Sequence, residues 1–542
     1  MTGVGTEANE SPTADGGGET VRTIADILDF SAAARADRVA VVDGGHRCTY
    51  RELRRRAVTA AGGFVESGVR KGDRVALWMP NGLDWVVAFF GASYAGAVVV
   101  PLNTALSVPE IAYQVGQSGA ATLVVRAEYR NRDYLAMARE VSAAVGRPLS
   151  VVVVDETNAA AQEDTGASDV IAWARLTRAA RAEVPLPSLD PADPAIMLYT
   201  SGTTGLPKGA VHTHRFVGSL FAGTARLGLG ETDVLVLYLP LFHIYALVAG
   251  LLMMTLAGAR LVLMPRFDAA ESLRLIERER ATVMYGIPTT YIDQLNHATI
   301  GETDFSSLRI ALAPLTYDLC HKVRATMGVA CLNPYGMTET AALVMVADPD
   351  APPEIAMRTV GRPLAGMEAR IVDDGTGRPL PAGVPGALQM RGPSILAEYH
   401  ELPQATADAF DPDGWFRTGD RASMDGAGNV TFIGRRGDGY RVGGEIVDPV
   451  EVESAIQSHP AVLRAAALGL PDERLGEVGH AWAQVRPGAD ITEEELREHV
   501  ATLLASFKVP RRIRIIGEFP TTPSGKVQKF RLRDSLTSPG TE

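Results

Sequence analysis

The clearest candidate for chemistry in this sequence is the stretch YTSGTTGLPKG at residues 199–209. It holds six consecutive hydroxyl-bearing or glycine residues, namely Thr200, Ser201, Gly202, Thr203, Thr204 and Gly205. Such small side chains leave the backbone N–H groups bare, so these groups and the hydroxyls can turn onto a phosphate, and Lys208 adds a positive charge. The spacing is not that of a P-loop kinase or GTPase. The stretch predicts a phosphate-binding loop.

A second candidate is the stretch NPYGMTE at residues 333–339. Gly336 lets the backbone come close to a ligand, and Tyr335 offers an aromatic face for stacking. Thr338 and Glu339 place a hydroxyl beside a carboxylate, and oxygen donors of this kind suit Mg²⁺. The same residues could also form no more than a turn into a helix, so residue types alone leave both interpretations open.

Three further residues are ambiguous when taken alone. His243 lies between aromatic residues at the end of a predicted strand, where a histidine is more often a satisfied core residue than a functional one. Asp420 follows a Thr-Gly turn and could merely cap it. Lys526 lies on a loop rich in Pro and Gly, where a lysine is usually a solvated surface charge.

Short apolar strands must position these residues. From Val39 onward, β-branched apolar runs alternate with helical stretches, a pattern that predicts an α/β fold with parallel strands covered on both faces. A predicted strand at 195–198 leads directly into the phosphate-binding loop. Ligands of doubly wound sheets bind at the turns that follow strands, so residues 286–290 and 313–315 are predicted to line the cleft.

The later part of the chain has a different pattern. Between about 365 and 430, short strands with frequent Gly and Pro predict a smaller β-rich subdomain. Beyond it, helices and strands suffice for a further α+β domain of about 100 residues. A chain of 542 residues is too long for one hydrophobic core. We therefore expect a disordered tail at 1–20, a large domain at 21–435, a hinge at 436–438 and a small domain at 439–542.

Composition excludes several classes of function. The chain is 46% hydrophobic and 21% charged, and its net charge of -12 argues against nucleic acid as a partner. No apolar run reaches the length of about 18 residues that a membrane helix needs, and the acidic N-terminal stretch lacks the features of a signal peptide. We therefore expect a cytoplasmic protein without a membrane span. Cys48, Cys320 and Cys331 suit neither a disulfide framework nor a zinc site, so buried thiols are expected.

Five ordered motifs resemble those of the adenylate-forming superfamily, which includes acyl-CoA synthetases, peptide-synthetase adenylation domains and luciferases. They are residues 199–209, LPLFH at 239–243, residues 333–339, WFRTGD at 415–420 and PTTPSGK at 520–526. The resemblance runs from about Thr23 to Arg533. It implies a two-step reaction in which ATP adenylates a carboxylic acid with release of pyrophosphate, and the acyl group then passes to CoA with release of AMP. It also implies that the small domain is a mobile lid.

The resemblance implies roles for individual nucleotide-binding residues. The 199–209 loop would hold the β- and γ-phosphates, and Mg²⁺ at Glu339 would offset their charge. Tyr335 would pack near the adenine, with Gly336 beside it and Thr338 near the phosphates. Asp420 would bind the ribose hydroxyls, with Arg435 as its cationic partner. Lys526 would enter the site and bridge the carboxylate and the α-phosphate.

The resemblance also points to an acid pocket. In this superfamily the motif matching LPLFH lines the acyl pocket and gates the access of the thiol. We therefore expect a pocket formed by His243, Tyr245, Ala313, Met337 and Ala341. These residues are apolar or aromatic, and no convincing basic residue is present for a second carboxylate. An aryl or medium-sized acyl acid is the expected substrate.

The departures from the superfamily pattern lie at the hinge. Related ligases commonly read GRxKD or GRxDD, whereas this chain reads GRRGDGY at 434–440. Gly437 at the pivot accepts many backbone conformations, so it permits rotation but restrains neither pose of the lid. Arg441 replaces a lysine often seen nearby. In the second pose, residues 443–445 would approach the site and form the channel for the thiol, so these changes bear on the second half-reaction.

Two alternatives remain open at this point. The adenylation could be kept while the acceptor differs, with a carrier-protein thiol, an amine, or nitrite activation for diazotisation of an aryl amine. The chain could also be an inactive nucleotide-binding or scaffold protein, although the joint presence of Lys526, Glu339 and Asp420 speaks against that.

Overall fold

The computed structural model describes most of the chain. The described residues are 21–154, 170–178, 183–200, 206–435, 439–442, 445–447, 449–472, 475–504, 506–521 and 527–537. The predictions for the tail at 1–20, for Ser201, Gly202, Thr203 and Thr204, for Gly437 and for Lys526 concern residues outside these ranges. The same holds for the side chains of Arg435 and Arg441.

The first of two large sheets has seven strands. Its order is Ala330–Leu332, Ile310–Leu312, Val283–Tyr285, Val234–Leu237, Arg260–Leu263, Val39–Asp43 and His46–Thr49. All neighbours are parallel except the last pair, which forms a hairpin. The parallel strands are short, mostly apolar runs buried on both faces, as parallel strands covered by helices must be, whereas the antiparallel strand His46–Thr49 is polar and partly exposed.

The second large sheet has eight strands. Its order is Glu398–Tyr399, Lys208–Thr213, Pro194–Thr200, Val98–Pro101, Arg74–Trp78, Thr122–Arg126, Ser150–Val154 and Val170–Ala172. The strands from Pro194–Thr200 onward are parallel, whereas the first two pairs are antiparallel. The predicted α/β class with parallel and mixed sheets is confirmed.

Helices cover the two sheets. Helix Leu83–Tyr94 buries every residue except Asp84, because a helix that is apolar on all sides belongs in the core. Further helices of this part are Ile24–Ala34, Tyr50–Glu66, Val108–Ser118, Tyr134–Val145, Trp173–Leu176, Val217–Arg226, Met253–Ala257, Ala269–Arg278, Pro288–Leu295, Tyr317–Met327, Pro353–Arg358 and Pro403–Ala409.

The later strands form two smaller sheets. An antiparallel sheet of Glu368–Val372, Gly386–Arg391, Phe416–Met424 and Val430–Arg435 corresponds to the predicted β-rich subdomain. The C-terminal sheet contains Glu445–Val447, Tyr440–Val442, Gly476–Val485, Val462–Asp472 and Arg512–Ile516. Helices Pro449–Gln457, Glu493–Leu503 and Lys529–Thr537 accompany it, and it has its own apolar core, so the smaller α+β domain is confirmed as a class.

Two further expectations were tested directly. Within the described ranges, the longest and most apolar helices fall short of what a bilayer crossing requires. Cys48, Cys320 and Cys331 are free and buried, as expected.

Candidate active site

The stretch predicted to bind phosphate contributes to two antiparallel strands near one side of the eight-stranded sheet, Pro194–Thr200 and Lys208–Thr213. In this hairpin, Thr200 lies opposite Lys208 where the connecting loop starts and ends. The hydroxyl of Tyr199 lies 2.9 Å from the carbonyl oxygen of Gln114 and 2.5 Å from Oε1 of Gln117. The end of the strand that leads to residue 201 is therefore attached to the neighbouring helix.

Glu339 is attached to the same sheet. It lies in a single 3₁₀ turn, Thr338–Thr340, and is 7% exposed. Its Oε1 accepts a hydrogen bond from the hydroxyl of Tyr399 at 3.0 Å, and its carbonyl oxygen accepts one from the N–H of Leu396 at 2.8 Å. Strand Glu398–Tyr399 pairs with the second strand of the hairpin. The carboxylate predicted to bind Mg²⁺ and the predicted phosphate loop therefore share one support.

A second link between these motifs runs through His212. Its Nε2 lies 2.7 Å from the carbonyl oxygen of Thr338. Burial lowers the pKa of His212 to about 4, so the ring is neutral at pH 7. Because a carbonyl oxygen can only accept, the neutral ring must carry its proton on Nε2.

Gly336 is required by the packing of the chain itself. A Cβ at this position would lie 1.1 Å from the carbonyl oxygen of Ala342. The backbone folds back onto Gly336 because Ala341 and Ala342 both adopt left-handed conformations, with φ of 50° and 70°. The sequence suggested a close approach to a ligand, whereas the close approach in the structure is to the backbone six residues later.

Tyr335 and Asp420 come together from distant parts of the chain. The Tyr335 hydroxyl donates to Oδ2 of Asp420 at 2.6 Å, and Asp420 is 4% exposed. Asp420 pairs with Arg435 across strands of the four-stranded sheet. The ring of Phe432, which is 39% exposed, lies 6.2 Å from the ring of Tyr335. The predicted adenine and ribose residues are therefore neighbours, and the Asp420 carboxylate contacts a side chain rather than only capping its turn.

The predicted acid pocket begins at an unusual helix. Residues Tyr245–Leu252 form a π-helix, whose end is marked by the N–H of Met253 donating to the carbonyl of Val248. Long π-helices are rare, and π-turns occur frequently at functional sites. His243 lies two residues before this helix, with its ring 4.7 Å from that of Phe242.

Tyr245 connects this helix to the seven-stranded sheet. Its hydroxyl donates to the carbonyl oxygen of Leu312 at 3.0 Å, and its ring stacks on Tyr285 at 5.8 Å. Burial raises the pKa of Tyr245 well above its usual value, so the hydroxyl stays protonated. Ala313 follows Leu312 and is fully buried, and Ala341 belongs to the same apolar cluster.

Met337 packs next to the hairpin, in an apolar cluster with Ala210, Leu396 and Tyr399. Its carbonyl oxygen also accepts a hydrogen bond from the N–H of Ala342 at 3.2 Å, so Met337 and Ala341 lie in one turn. Tyr245 contacts the carbonyl of Leu312, the residue before Ala313.

The C-terminal domain touches the large domain at helix Pro288–Leu295. Nη1 of Arg486 donates to Oδ1 of Asn296 at 2.6 Å. Burial raises the pKa of Asp293, and the charge of Arg464 opposes that rise. At the end of the domain, Thr521 pairs with Val527, so the segment that includes Lys526 starts and ends at one bridge.

Sequence reasoning missed Tyr399 and His212. Besides its bond to Glu339, Tyr399 carries Nζ of Lys208 over its ring, 5.2 Å from the centroid. The stretch AEYHEL around Tyr399 contains no recognisable motif. His212 had a weak signal, because it occupies a polar position within the otherwise small and apolar strand that follows Lys208.

These contacts explain which chemistry the site can perform. The hairpin predicted to bind phosphates is linked through Tyr399 to a buried carboxylate, and a tyrosine–aspartate pair lies on the adjoining turn and sheet. This combination agrees with the motifs that resemble the adenylate-forming superfamily. The fold and the site are those of an adenylate-forming ligase.

Comparison with known proteins gives the family. Residues 28–400 match the family model described as AMP-binding enzyme, and residues 451–526 match the AMP-binding enzyme C-terminal domain. Because the first match alone covers more than half of the chain, this protein belongs to the AMP-binding enzyme family.

Individual relatives agree with this assignment. A 3-[(3aS,4S,7aS)-7a-methyl-1,5-dioxo-octahydro-1H-inden-4-yl]propanoyl:CoA ligase from Rhodococcus jostii (strain RHA1) is 34% identical, covering 95% of this chain and 99% of the relative. A feruloyl-CoA synthase from Amycolatopsis sp is 36% identical, covering 91% and 95%. The crystal structure of the anthranilate CoA ligase AuaEII in complex with anthranoyl-AMP has a TM-score of 0.85 at 28% identity, covering 95% and 97%.

The protein is accordingly an AMP-forming acid–thiol ligase. It uses ATP to adenylate a carboxylic acid and transfers the acyl group to CoA. The predicted reaction and enzyme class are confirmed, and the reading as an inactive scaffold is not supported. The relatives named above give no support to a carrier protein as acceptor.

Proposed function

We propose that the acid is a monocarboxylic acid with an apolar, ring-bearing body. The observation that carries this proposal is that Tyr245, which we propose lines the pocket, stacks on Tyr285 and donates to the carbonyl of Leu312, next to the fully buried Ala313. Aromatic faces with a small residue suit a flat ring. The pocket candidates include no lysine or arginine, so a second carboxylate would be desolvated without a partner there. The three relatives named above also act on acids with a ring.

We assign the nucleotide as the motifs imply. Lys208 and Thr200, with the loop between them, hold the β- and γ-phosphates. Tyr335 and Gly336 lie at the adenine, and Asp420 accepts the ribose hydroxyls with Arg435 as its partner. The support for this assignment is that Tyr335 and Asp420 are already in contact with each other and are both largely buried.

We propose Glu339, with Thr338, as the residues that hold Mg²⁺. The donor set fits, because a carboxylate beside a hydroxyl offers the oxygen ligands that Mg²⁺ prefers. When bound, the ion neutralises phosphate charge. The chain's own contribution is to fix the carboxylate, which the hydrogen bond from Tyr399 does.

We assign Lys526 to the adenylation step. The substrate carboxylate attacks the α-phosphorus, pyrophosphate leaves, and a lysine between the two reacting groups lowers the cost of bringing together negative charges.

His243, just before the π-helix, controls the access of the thiol. For the second step we propose that a lid of residues 439–542 rotates about 436–438 relative to a domain of 21–435, with Gly437 as pivot.

The experiment that tests the substrate proposal is product analysis with Mg·ATP and a panel of acids. We expect aryl and alicyclic monocarboxylic acids to give AMP, pyrophosphate and a thioester when CoA is present. Dicarboxylic acids of similar size should react at least tenfold more slowly. Preference for a dicarboxylic acid would contradict the pocket assignment. Amines added to the panel identify another acceptor, and nitrite added in place of the acid tests nitrite activation.

We place this chemistry in the cytoplasm, where its three buried free thiols stay reduced.

A further inference from the structure

Tyr399 lies between the two charged residues that the proposed function places at the triphosphate. It is 9% exposed. Its hydroxyl donates to Oε1 of Glu339 at 3.0 Å, and Nζ of Lys208 lies over its ring at 5.2 Å from the centroid. One side chain thus contacts an anion through its polar end and a cation through its face.

The backbone explains why Tyr399 is in this place. Tyr399 pairs with Ala210 in the antiparallel register of the sheet edge. Lys208 lies two residues from Ala210 and therefore projects from the same face as its diagonal neighbour, within reach of an aromatic ring. The N–H of His400 donates to the carbonyl of Gly209 at 2.8 Å, so the short strand is fixed next to the hairpin.

Lys208 and Glu339 both contact Tyr399, and in the part of the chain that the structure describes they form no ion pair with each other. A direct pair would use the ammonium that a phosphate needs and the carboxylate that a cation needs. With Tyr399 between them, both charges are retained for ligands.

We propose that Tyr399 is a positioning residue with two separable functions. Its hydroxyl orients the Glu339 carboxylate toward the divalent cation of Mg·ATP, and its ring holds the Lys208 ammonium away from that carboxylate. This inference rests on the proposed roles of Glu339 and Lys208. Hydrogen bonds of this kind orient carboxylates at metal sites, and their loss typically costs about 10- to 100-fold in metal affinity or activity.

The test separates the two functions by binding rather than by turnover. ATP binding is measured by calorimetry over a range of Mg²⁺ concentrations and again with excess EDTA. Tyr399→Phe keeps the ring and loses the hydroxyl, so the Mg²⁺ concentration for half-maximal enhancement of ATP binding should rise about tenfold. Binding in EDTA should stay within twofold. Tyr399→Leu loses both functions, so binding in EDTA should also weaken several-fold.

Matched variants make each result decisive. Tyr134→Phe removes another buried tyrosine hydroxyl, which donates to the carbonyl of Thr104 at 2.8 Å in a separate apolar cluster, and it should leave the Mg²⁺ requirement unchanged. Glu339→Gln should raise the requirement at least as much as Tyr399→Phe, and the double variant should add nothing further. If Glu339→Gln raises it and Tyr399→Phe does not, the positioning role is overturned. If neither does, the metal role of Glu339 fails and the inference fails with it.

Discussion

The hydroxyl of Tyr335 donates to Oδ2 of Asp420 at 2.6 Å, across 85 positions of the sequence. This bond joins the turn that carries Glu339 to the four-stranded sheet, so the surfaces assigned to adenine and ribose are fixed relative to each other before a nucleotide binds. Preorganisation of this kind lowers the entropic cost of binding.

Removing this bond should weaken nucleotide binding. Hydrogen bonds to charged groups contribute about 1.5–3 kcal/mol, so Tyr335→Phe should raise the KM for ATP roughly tenfold while kcat changes little. Steady-state kinetics at saturating acid measures both constants. Tyr134→Phe serves as the control, and an unchanged KM in Tyr335→Phe would contradict the assignment.

The packing at Gly336 predicts a stability effect. In Gly336→Ala the new methyl would overlap the carbonyl oxygen of Ala342, and because that atom is backbone it cannot swing aside. We expect a loss of more than about 3 kcal/mol in the free energy of unfolding, or failure to fold. Gly116→Ala, in a helix with open space around it, should instead be stabilising by roughly 0.5–1 kcal/mol. Chemical denaturation of both variants compares them, and equal effects would refute the close contact.

Two buried histidines predict a loss of stability in mild acid. Burial lowers the pKa of His212 and of His214 from 6.5 to about 4. Between these two pKa values the unfolded chain binds protons that the folded chain does not. The contribution of the neutral histidines to the free energy of unfolding is therefore fully present above pH 6.5 and is lost as the pH falls toward 4.

The expected loss between pH 7 and pH 5 is about 2 kcal/mol for each histidine. His212→Gln keeps a side-chain donor for the carbonyl of Thr338 but cannot be protonated. Its free energy of unfolding, from urea titrations at both pH values, should therefore fall by about 2 kcal/mol less than that of the wild type. An identical decline in the two proteins would show that His212 is not buried in its neutral form.

The contact between the domains predicts opposite effects on the two half-reactions. Arg486 of the C-terminal domain donates a hydrogen bond to Asn296 of the large domain, and the lid rotation that we propose would break it. Arg486→Ala should favour the other pose, and since an exposed polar contact contributes up to about 1 kcal/mol, the rates should change by up to about fivefold. Single-turnover measurements of adenylation and of thioester formation should change in opposite directions. Arg497→Ala, which removes a pair within one lid helix, should change neither.

Much of the fold was predictable because local patterns determine it. The strand Arg512–Ile516 has the bounds that its apolar run indicates, and the helix that begins at Tyr50 is capped by Thr49, whose hydroxyl accepts from the N–H of Glu52 at 3.2 Å. In a capping box the Glu52 carboxylate would accept a hydrogen bond from the N–H of Thr49, but here it accepts one from Arg56 one turn later. A local sequence pattern does not specify whether the Glu52 carboxylate bonds to the backbone N–H of Thr49 or to the side chain of Arg56.

The site was predictable only where motifs mark it. Thr200, Lys208, Glu339 and Asp420 could be proposed as site residues because short motifs carry them. Tyr399 was not, because its role arises from a strand pairing between residues that are far apart in sequence. The domain limits and the roles of the individual site residues, Gly437 and Lys526 included, stay predictions.

The most direct test of the account is pyrophosphate–ATP exchange, with product identification, for a ring-bearing monocarboxylic acid in the absence of CoA. Acid-dependent exchange should occur without CoA, AMP and thioester should accumulate once CoA is added, and Lys526→Ala should abolish the exchange while its thermal unfolding stays that of the wild type. Formation of ADP and phosphate, or undiminished exchange in Lys526→Ala, would contradict the account.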